Sequence, residues 1–178
     1  RYVRTYPFGC VEQTVSSLLP LLAGSILGSA PGSARMDPTA ELQRGWANLL
    51  RRQRPDGAWG FWGRTDDADG YCTLQVARLA GLLAQQQCET LRNSQVAISR
   101  LVEYSLQAFI RNTEANASFR ALALRTLSLL AMGEGERAEL CSAAEALFAA
   151  WRGKPDLLSA EALAWLALAM QQLSLASE

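Results

Sequence analysis

The stretch "TYPFGCVEQTVSSLLP", residues 5–20, places a thiol and a carboxamide three residues apart, at Cys10 and Gln13. Apolar residues then recur at steps of three and four, as one face of a helix requires; they are Val11, Val15, Leu18, Leu19, Leu22 and Ile26. Side chains at positions i and i+3 of a helix are neighbours. The stretch therefore predicts a helix whose first turn carries the thiol and the carboxamide side by side.

The same helical periodicity continues through most of the chain and predicts an all-α fold without strands. Further helices are predicted from Asp37-Pro38 to about Arg52 and at residues 71–86, 93–111, 118–132, 135–151 and 159–173. The segment "QRPDGAWGFWGRTDDADG", residues 53–70, cannot continue a helix because of its proline and glycines. Helical pairs joined in this way suggest hairpins that curve into an incomplete α/α toroid, although an ordinary bundle fits the periodicity equally well.

Composition bounds the function that the chain can have. Its 178 residues are 49% apolar, enough for one substantial core and one domain. Seventeen basic and seventeen acidic residues cancel, so neither nucleic acid nor an anionic membrane is expected as a partner. No run is long enough to span a bilayer, so no direct membrane insertion by this segment is expected. Because the chain begins without methionine, we expect residues 1–178 to be a fragment of a larger multidomain protein.

The chain contains no histidine. Hydrolases in which an imidazole activates a serine or cysteine are therefore not expected, nor is a zinc site or any other metal or cofactor. Four cysteines are widely spaced, and none forms a CxxC pair. Cys72, Cys88 and Cys141 are interpreted as small buried hydrophobic residues, and a disulfide among them remains open.

The opening motif resembles a known one. Gly9-Cys10-Val11-Glu12-Gln13 is similar to the internal thioester motif of the alpha-2-macroglobulin and complement family, and Tyr6-Pro7-Phe8 before it resembles the bacterial members. The aliphatic Val11 also fits bacterial members, since vertebrate members typically have glycine there. A weaker resemblance to the helices of the thioester domain continues over most of the chain.

The resemblance implies that Cys10 and Gln13 close a thioester ring with loss of ammonia. Gly9 would let the backbone turn into the helix, and Glu12 is either a solvated carboxylate or a group that orients the Gln13 carboxamide. The helix dipole would stabilise the Cys10 thiolate. An apolar cover must exclude water from such a ring; its candidates are Tyr6, Phe8, Trp59, Phe61, Trp62 and Tyr71, each of which is alternatively a core residue.

The resemblance further implies a protease inhibitor (endopeptidase inhibitor activity) with a role in bacterial defence. The parent protein would reside in the periplasm or cell envelope and tether attacking proteases through their lysine amines. Other domains of the parent chain would be partners of this one. By the same resemblance, the domain would react once and is not expected to be a turnover enzyme. Since no histidine is present to pass the acyl group to hydroxyls, direct transfer that favours amines is expected.

Two other classes remain as alternatives. "GWANLLRRQRPDGAWG" resembles a repeat of terpene cyclases, and Asp66-Asp67-Ala68-Asp69 could be read as an acidic motif of those toroidal enzymes. The spacing is wrong for their usual motifs, and aspartates before a glycine are far more often turn residues. The other alternative is a binding or scaffold domain in which Cys10 keeps a free thiol and no ring forms.

Overall fold

The computed structural model describes residues 9–26, 38–91, 93–130 and 133–175. Over these ranges the chain forms seven α-helices and no strand apart from an isolated β-bridge between Gln53 and Trp59. The all-α prediction is confirmed. The helices are α1 (Val11–Ile26), α2 (Pro38–Arg51), α3 (Gly70–Gln85), α4 (Gln95–Ser105), α5 (Ala117–Leu127), α6 (Glu134–Gly153) and α7 (Ala160–Leu175).

Alternate helices form one continuous row. Helix α1 packs on α3, α3 on α5, and α5 on α7, while α2 packs on α1, α4 on α3, and α6 on both α5 and α7. The burial of the helices agrees with an inner layer and an outer layer. Helix α3 of the row is buried around most of its circumference, whereas α6, outside the row, buries a single stripe of Leu140, Ala144 and Leu147. This alternation is the pattern expected of paired hairpins in a toroid, with α1 and α7 at the two ends of the row.

Helix α1 follows the predicted apolar stripe. Val11, Val15, Leu18 and Leu22 are buried in the common core. Pro20 lies inside the helix and on its exposed side, so α1 is not divided there. The approach of α2 is close, since a Cβ atom at Gly45 would lie 2.4 Å from Leu18 Cδ2. A glycine at this point lets the two helices meet with little space between their backbones.

The segment between α2 and α3 is irregular, as predicted, and it is fixed by buried polar contacts. Gln53 Nε2 donates to the carbonyls of Gly57 at 3.1 Å and Ala97 at 2.8 Å. Trp59 is fully buried, and its Nε1 donates to Leu49 O at 2.8 Å. Gly57 has a φ of +95°, and a Cβ atom there would lie 2.3 Å from Arg100 O, so only glycine fits.

The acidic residues of this segment have structural roles. Asp66 Oδ2 accepts hydrogen bonds from the backbone amides of Trp62 at 2.6 Å and Gly63 at 3.0 Å. Asp69 caps α3 by accepting from the amide of Cys72 at 2.7 Å. Side chains used in this way stabilise a turn and a helix start. Both contacts favour the turn interpretation over an acidic motif of the cyclase type.

Two predicted helices differ in detail. The helix expected at residues 118–132 is α5, which already ends at Leu127. Residues 93–111 were expected to form one α-helix, but α4 ends at Ser105 and a π-helical segment, Leu106–Arg111, follows it. The segment directs Phe109 onto α5, where its ring stacks on Phe119 with centroids 6.1 Å apart. The wider turn keeps residues of this stretch on one buried face.

Candidate functional site

The predicted pair is brought together at the start of α1. The backbone amide of Cys10 donates to Gln13 Oε1 at 3.1 Å, and the amide of Gln13 donates to Cys10 Sγ at 3.4 Å. Cys10 O accepts the first helical bond, from the amide of Thr14 at 2.9 Å, so Cys10 is the residue that caps the helix. This reciprocal arrangement is that of a capping box, with cysteine and glutamine in its two positions.

The two side chains differ in their access to solvent. Cys10 is only 2% exposed, whereas Gln13 is exposed. A Cβ atom at Gly9 would lie 3.8 Å from Gln13 Cβ and 4.0 Å from Gln13 Oε1, so the absence of a side chain at position 9 leaves that side of the carboxamide uncovered. The sulfur is therefore sheltered by the core while the carboxamide can be reached from outside.

Two contacts from other elements fix the backbone before and within the first turn of α1. Arg52 Nη1 donates to Gly9 O at 2.7 Å, and the amide of Val11 donates to Phe61 O at 2.9 Å. The sequence alone assigned no role to Arg52 beyond the approximate end of a predicted helix. Nothing in the local sequence marks Arg52, because its partner lies 43 residues away.

A second thiol lies next to the site. Cys72 is fully buried in the first turn of α3. Burial, and then the charge of Asp69, raise the pKa of the Cys72 thiol to about 12. Cys10 also raises this pKa, and a hydrogen bond from the backbone of Glu12 lowers it. Both influences are short-range, so Cys72 lies beside the start of α1, in agreement with the packing of α1 on α3. Since the thiolate is the nucleophilic form, the raised pKa keeps the Cys72 thiol protonated and unreactive at neutral pH.

All four cysteines have free thiols in the structure. Cys72 is buried as expected, but Cys88 and Cys141 are only half-buried. Within the described ranges, no three or more histidine, cysteine, aspartate or glutamate side chains are grouped so that they could hold a metal ion. None of the described helices is both long and apolar enough to cross a membrane.

The aromatic candidates for a cover separate into two groups. Trp59 belongs to the core, fully buried between α2 and α3. Phe61, Trp62 and Tyr71 are 40%, 61% and 43% exposed, and the rings of Phe61 and Trp62 meet edge to face. Tyr6 and Phe8 lie outside the described residues. Phe61 lies beside the site, because its carbonyl accepts from the amide of Val11 in the first turn of α1.

The supporting roles predicted for Gly9 and Glu12 stay predictions. Glu12 is half-buried in the first turn of α1, where a carboxylate is favoured by the helix dipole. Thr14 was not singled out by the sequence, yet its hydroxyl donates to Cys10 O at 2.9 Å. The bond gives the Cys10 carbonyl a second partner.

The fold matches that of several solved structures. The chain superposes on a crystal structure of native alpha-2-macroglobulin from Escherichia coli, spanning domain MG7 to the C-terminus, with a TM-score of 0.74. That match covers 99% of this chain and 28% of the other, at 21% identity. Salmonella alpha-2-macroglobulin reacted with methylamine matches 97% of this chain and 11% of its own at 20% identity (TM-score 0.72). The trypsin-activated Escherichia coli protein matches 94% and 12% at 22% identity (TM-score 0.71). The fold is that of a segment of bacterial alpha-2-macroglobulins.

Sequence comparison points to the same proteins. Over 71 residues the chain is 34% identical to alpha-2-macroglobulin from Thermotoga maritima, and over 87 residues it is 32% identical to that of Escherichia coli. These matches cover 40% and 43% of this chain but only 4% and 5% of the relatives. No family model matches the chain. The resemblance to bacterial alpha-2-macroglobulins that the opening motif predicted is thereby confirmed.

Proposed function

We propose that residues 1–178 are the thioester module of a bacterial alpha-2-macroglobulin-like protease inhibitor. The observation that carries the proposal is the reciprocal pair of hydrogen bonds between Cys10 and Gln13. These bonds hold the sulfur and the carboxamide over the same helical turn, and Gln13 is the exposed partner. The likeness to bacterial alpha-2-macroglobulins supports the proposal.

Ring closure uses only atoms of these two side chains. Cys10 Sγ attacks Gln13 Cδ, a carbon–sulfur bond forms, and the carbon–nitrogen bond of the carboxamide breaks. The nitrogen leaves as ammonia and carries away the proton of the thiol. The chemistry requires the two groups to be held in an attacking arrangement, which the capping geometry of Cys10 and Gln13 favours.

The closed ring then acts as an acyl donor. An amine attacks the Gln13 carbonyl carbon, the Cys10 sulfur leaves, and the amine remains bound to Gln13 through a stable amide. Since that amide does not return to a thioester, the module acts once and is not a turnover enzyme. Absence of histidine from the chain favours direct transfer, to amines rather than to hydroxyls.

At the level of the parent protein, we infer a trap for proteases. A protease that attacks the parent would be tethered through a lysine amine on its surface. Two of the similar structures are described as trypsin-activated and as reacted with methylamine, which supports a reaction with proteases and with amines. A periplasmic or cell-envelope location, and a role in bacterial defence, belong to the same proposal.

Water must be kept from the ring until it is needed. Trp59 is fully buried in the core, and a cover role for it stays a prediction. Phe61, Trp62 and Tyr71 are exposed around the start of α1 and α3, and we propose that they pack under another domain of the parent chain. Tyr6 and Phe8 remain candidates on the basis of the sequence.

The decisive measurement is the intact mass of the 178-residue chain. The expected mass is lower than that of the encoded chain by one ammonia. The Cys10→Ser variant, which keeps a capping oxygen, should instead have the full mass of its own encoded sequence. Full encoded mass together with a free Cys10 thiol would instead support the scaffold alternative, in which the same contacts serve only as a helix cap.

Selectivity is tested on the chain that carries the ring. Incubation with methylamine and with glycerol at equal concentration should give incorporation of methylamine alone, measured by mass spectrometry and located at Gln13 by peptide mapping. Equal incorporation of the two compounds would contradict direct, amine-selective transfer. The Cys10→Ser variant should incorporate neither.

A further inference from the structure

One peptide unit links Arg52 to the reacting carbonyl of Gln13. The carbonyl of Gly9 and the amide of Cys10 belong to the same planar peptide group. Arg52 Nη1 donates to the Gly9 carbonyl oxygen of this peptide group at 2.7 Å, and the Cys10 N–H of the same group donates to Gln13 Oε1 at 3.1 Å. The guanidinium and the carboxamide therefore contact opposite ends of one rigid dipole.

The oxygen that this N–H contacts is the one on which charge develops. When Cys10 Sγ attacks Gln13 Cδ, the electrons of the carbon–oxygen double bond move onto Oε1, and they move there again when an amine attacks the thioester. A backbone N–H directed at such an oxygen stabilises the tetrahedral intermediate. The Cys10 amide is thus placed to act on both steps.

Arg52 is suited to strengthen this donor. It is half-buried at the end of α2, and a hydrogen bond from a cation to a carbonyl is stronger than a neutral one. Hydrogen bonds in a chain polarise one another, so a cation on Gly9 O makes the Cys10 N–H a better donor. The close packing of α1 on α2 at Gly45 and Leu18 brings the guanidinium within reach.

We propose that Arg52 is a positioning residue for the thioester chemistry: it orients and polarises the Gly9–Cys10 peptide, whose N–H stabilises the oxyanion at Gln13 Oε1. The inference rests on the proposed function, since it requires that the ring forms. It adds a residue from a distant part of the chain to the chemistry of Cys10 and Gln13.

The test compares three variants of the 178-residue chain, Arg52→Ala, Arg52→Lys and Arg51→Ala. The last removes an exposed arginine from the neighbouring position of the chain and is the matched control. Two rates are measured by mass spectrometry below the unfolding temperature: ammonia loss during refolding, and methylamine incorporation into the closed ring. Circular dichroism at the same temperature confirms that each variant is folded.

We expect Arg52→Ala to slow both reactions about tenfold, less than the loss of a direct oxyanion donor, because Arg52 acts through the peptide. Arg52→Lys should recover part of the rate, since an ammonium also donates to a carbonyl, and Arg51→Ala should match the unchanged chain. If Arg52→Ala lowers thermal stability yet its folded, ring-bearing form reacts with methylamine at the unchanged rate, Arg52 is only structural and the inference is overturned. If the unchanged chain never loses ammonia, the proposed function itself fails, and this inference with it.

Discussion

Replacement of Cys10 by serine and by alanine separates the capping role of the residue from its chemistry. Both changes should abolish ammonia loss, because neither side chain carries a sulfur. Serine keeps an acceptor for the amide of Gln13, which now donates to Cys10 Sγ at 3.4 Å. Alanine removes that acceptor and leaves the amide without its capping partner.

The magnitude follows from the cost of losing a cap. An N-cap side chain is worth about 1 kcal/mol relative to alanine, so Cys10→Ala should be less stable than Cys10→Ser by about 1 kcal/mol. For a chain of this size that difference corresponds to roughly 2–4 °C in the unfolding temperature. Both variants lose the buried sulfur of the 2% exposed Cys10, so their difference isolates the cap.

The assay is equilibrium unfolding in urea under reducing conditions, followed by circular dichroism. Gln13→Ala is added to each variant to complete a double-mutant cycle, because Gln13 Oε1 accepts from the amide of residue 10 in the same capping box. Equal stability of the serine and alanine variants would refute the assignment of residue 10 as the cap of α1.

Two further predictions concern the surroundings of the site. Gly57→Ala should lower the free energy of unfolding by more than about 2 kcal/mol, because φ is +95° and the added Cβ would lie 2.3 Å from Arg100 O. Gly63→Ala, where a Cβ atom meets nothing within 4 Å, is the control and should be neutral in urea unfolding; similar losses would contradict the argument. Cys72 binds its proton more tightly in the folded state, since its pKa rises from 9.0 to about 12, so stability should be intact below pH 9 and fall as the pH rises from there toward 12. The free energy of unfolding is measured over that pH range for the Cys10→Ser chain with and without Cys72→Ala. It should fall less steeply without Cys72, and parallel curves would argue against the raised pKa of Cys72 as the cause.

Much of the fold could be predicted from the sequence, because burial here follows helical periodicity. The stripe of Val11, Val15, Leu18 and Leu22 fixed both the existence of α1 and the face that it buries. The π segment could not be predicted in this way. The buried residues Val102, Leu106 and Ile110, which run from α4 into this segment, are spaced by four. A spacing of four drifts around an α-helix of about 3.6 residues per turn, and the sequence does not show whether packing widens the helix to keep these residues on one face.

The candidate site, too, has features that the sequence predicts and features that it does not. The i, i+3 spacing of Cys10 and Gln13 predicted that their side chains are neighbours, but it did not predict the reciprocal capping bonds that join them. Trp59, Phe61 and Trp62 look alike in the sequence, yet one is buried and the other two are exposed, because a glycine-rich segment has no period from which to read its inner face. Arg52 and Phe61 reach α1 only through tertiary packing, and single-sequence patterns carry no such information.

The start of α1 is held by contacts from residues later in the chain, and this has a consequence for biosynthesis. Residues 9–13 leave the ribosome well before Arg52 and Phe61, which supply the contacts to Gly9 O and to the amide of Val11. A nascent chain that ends before these residues lacks both contacts. If the proposed ring forms, we therefore expect it to close only after the surrounding helices have been synthesised and packed, so that a growing chain would not yet carry the acylating group.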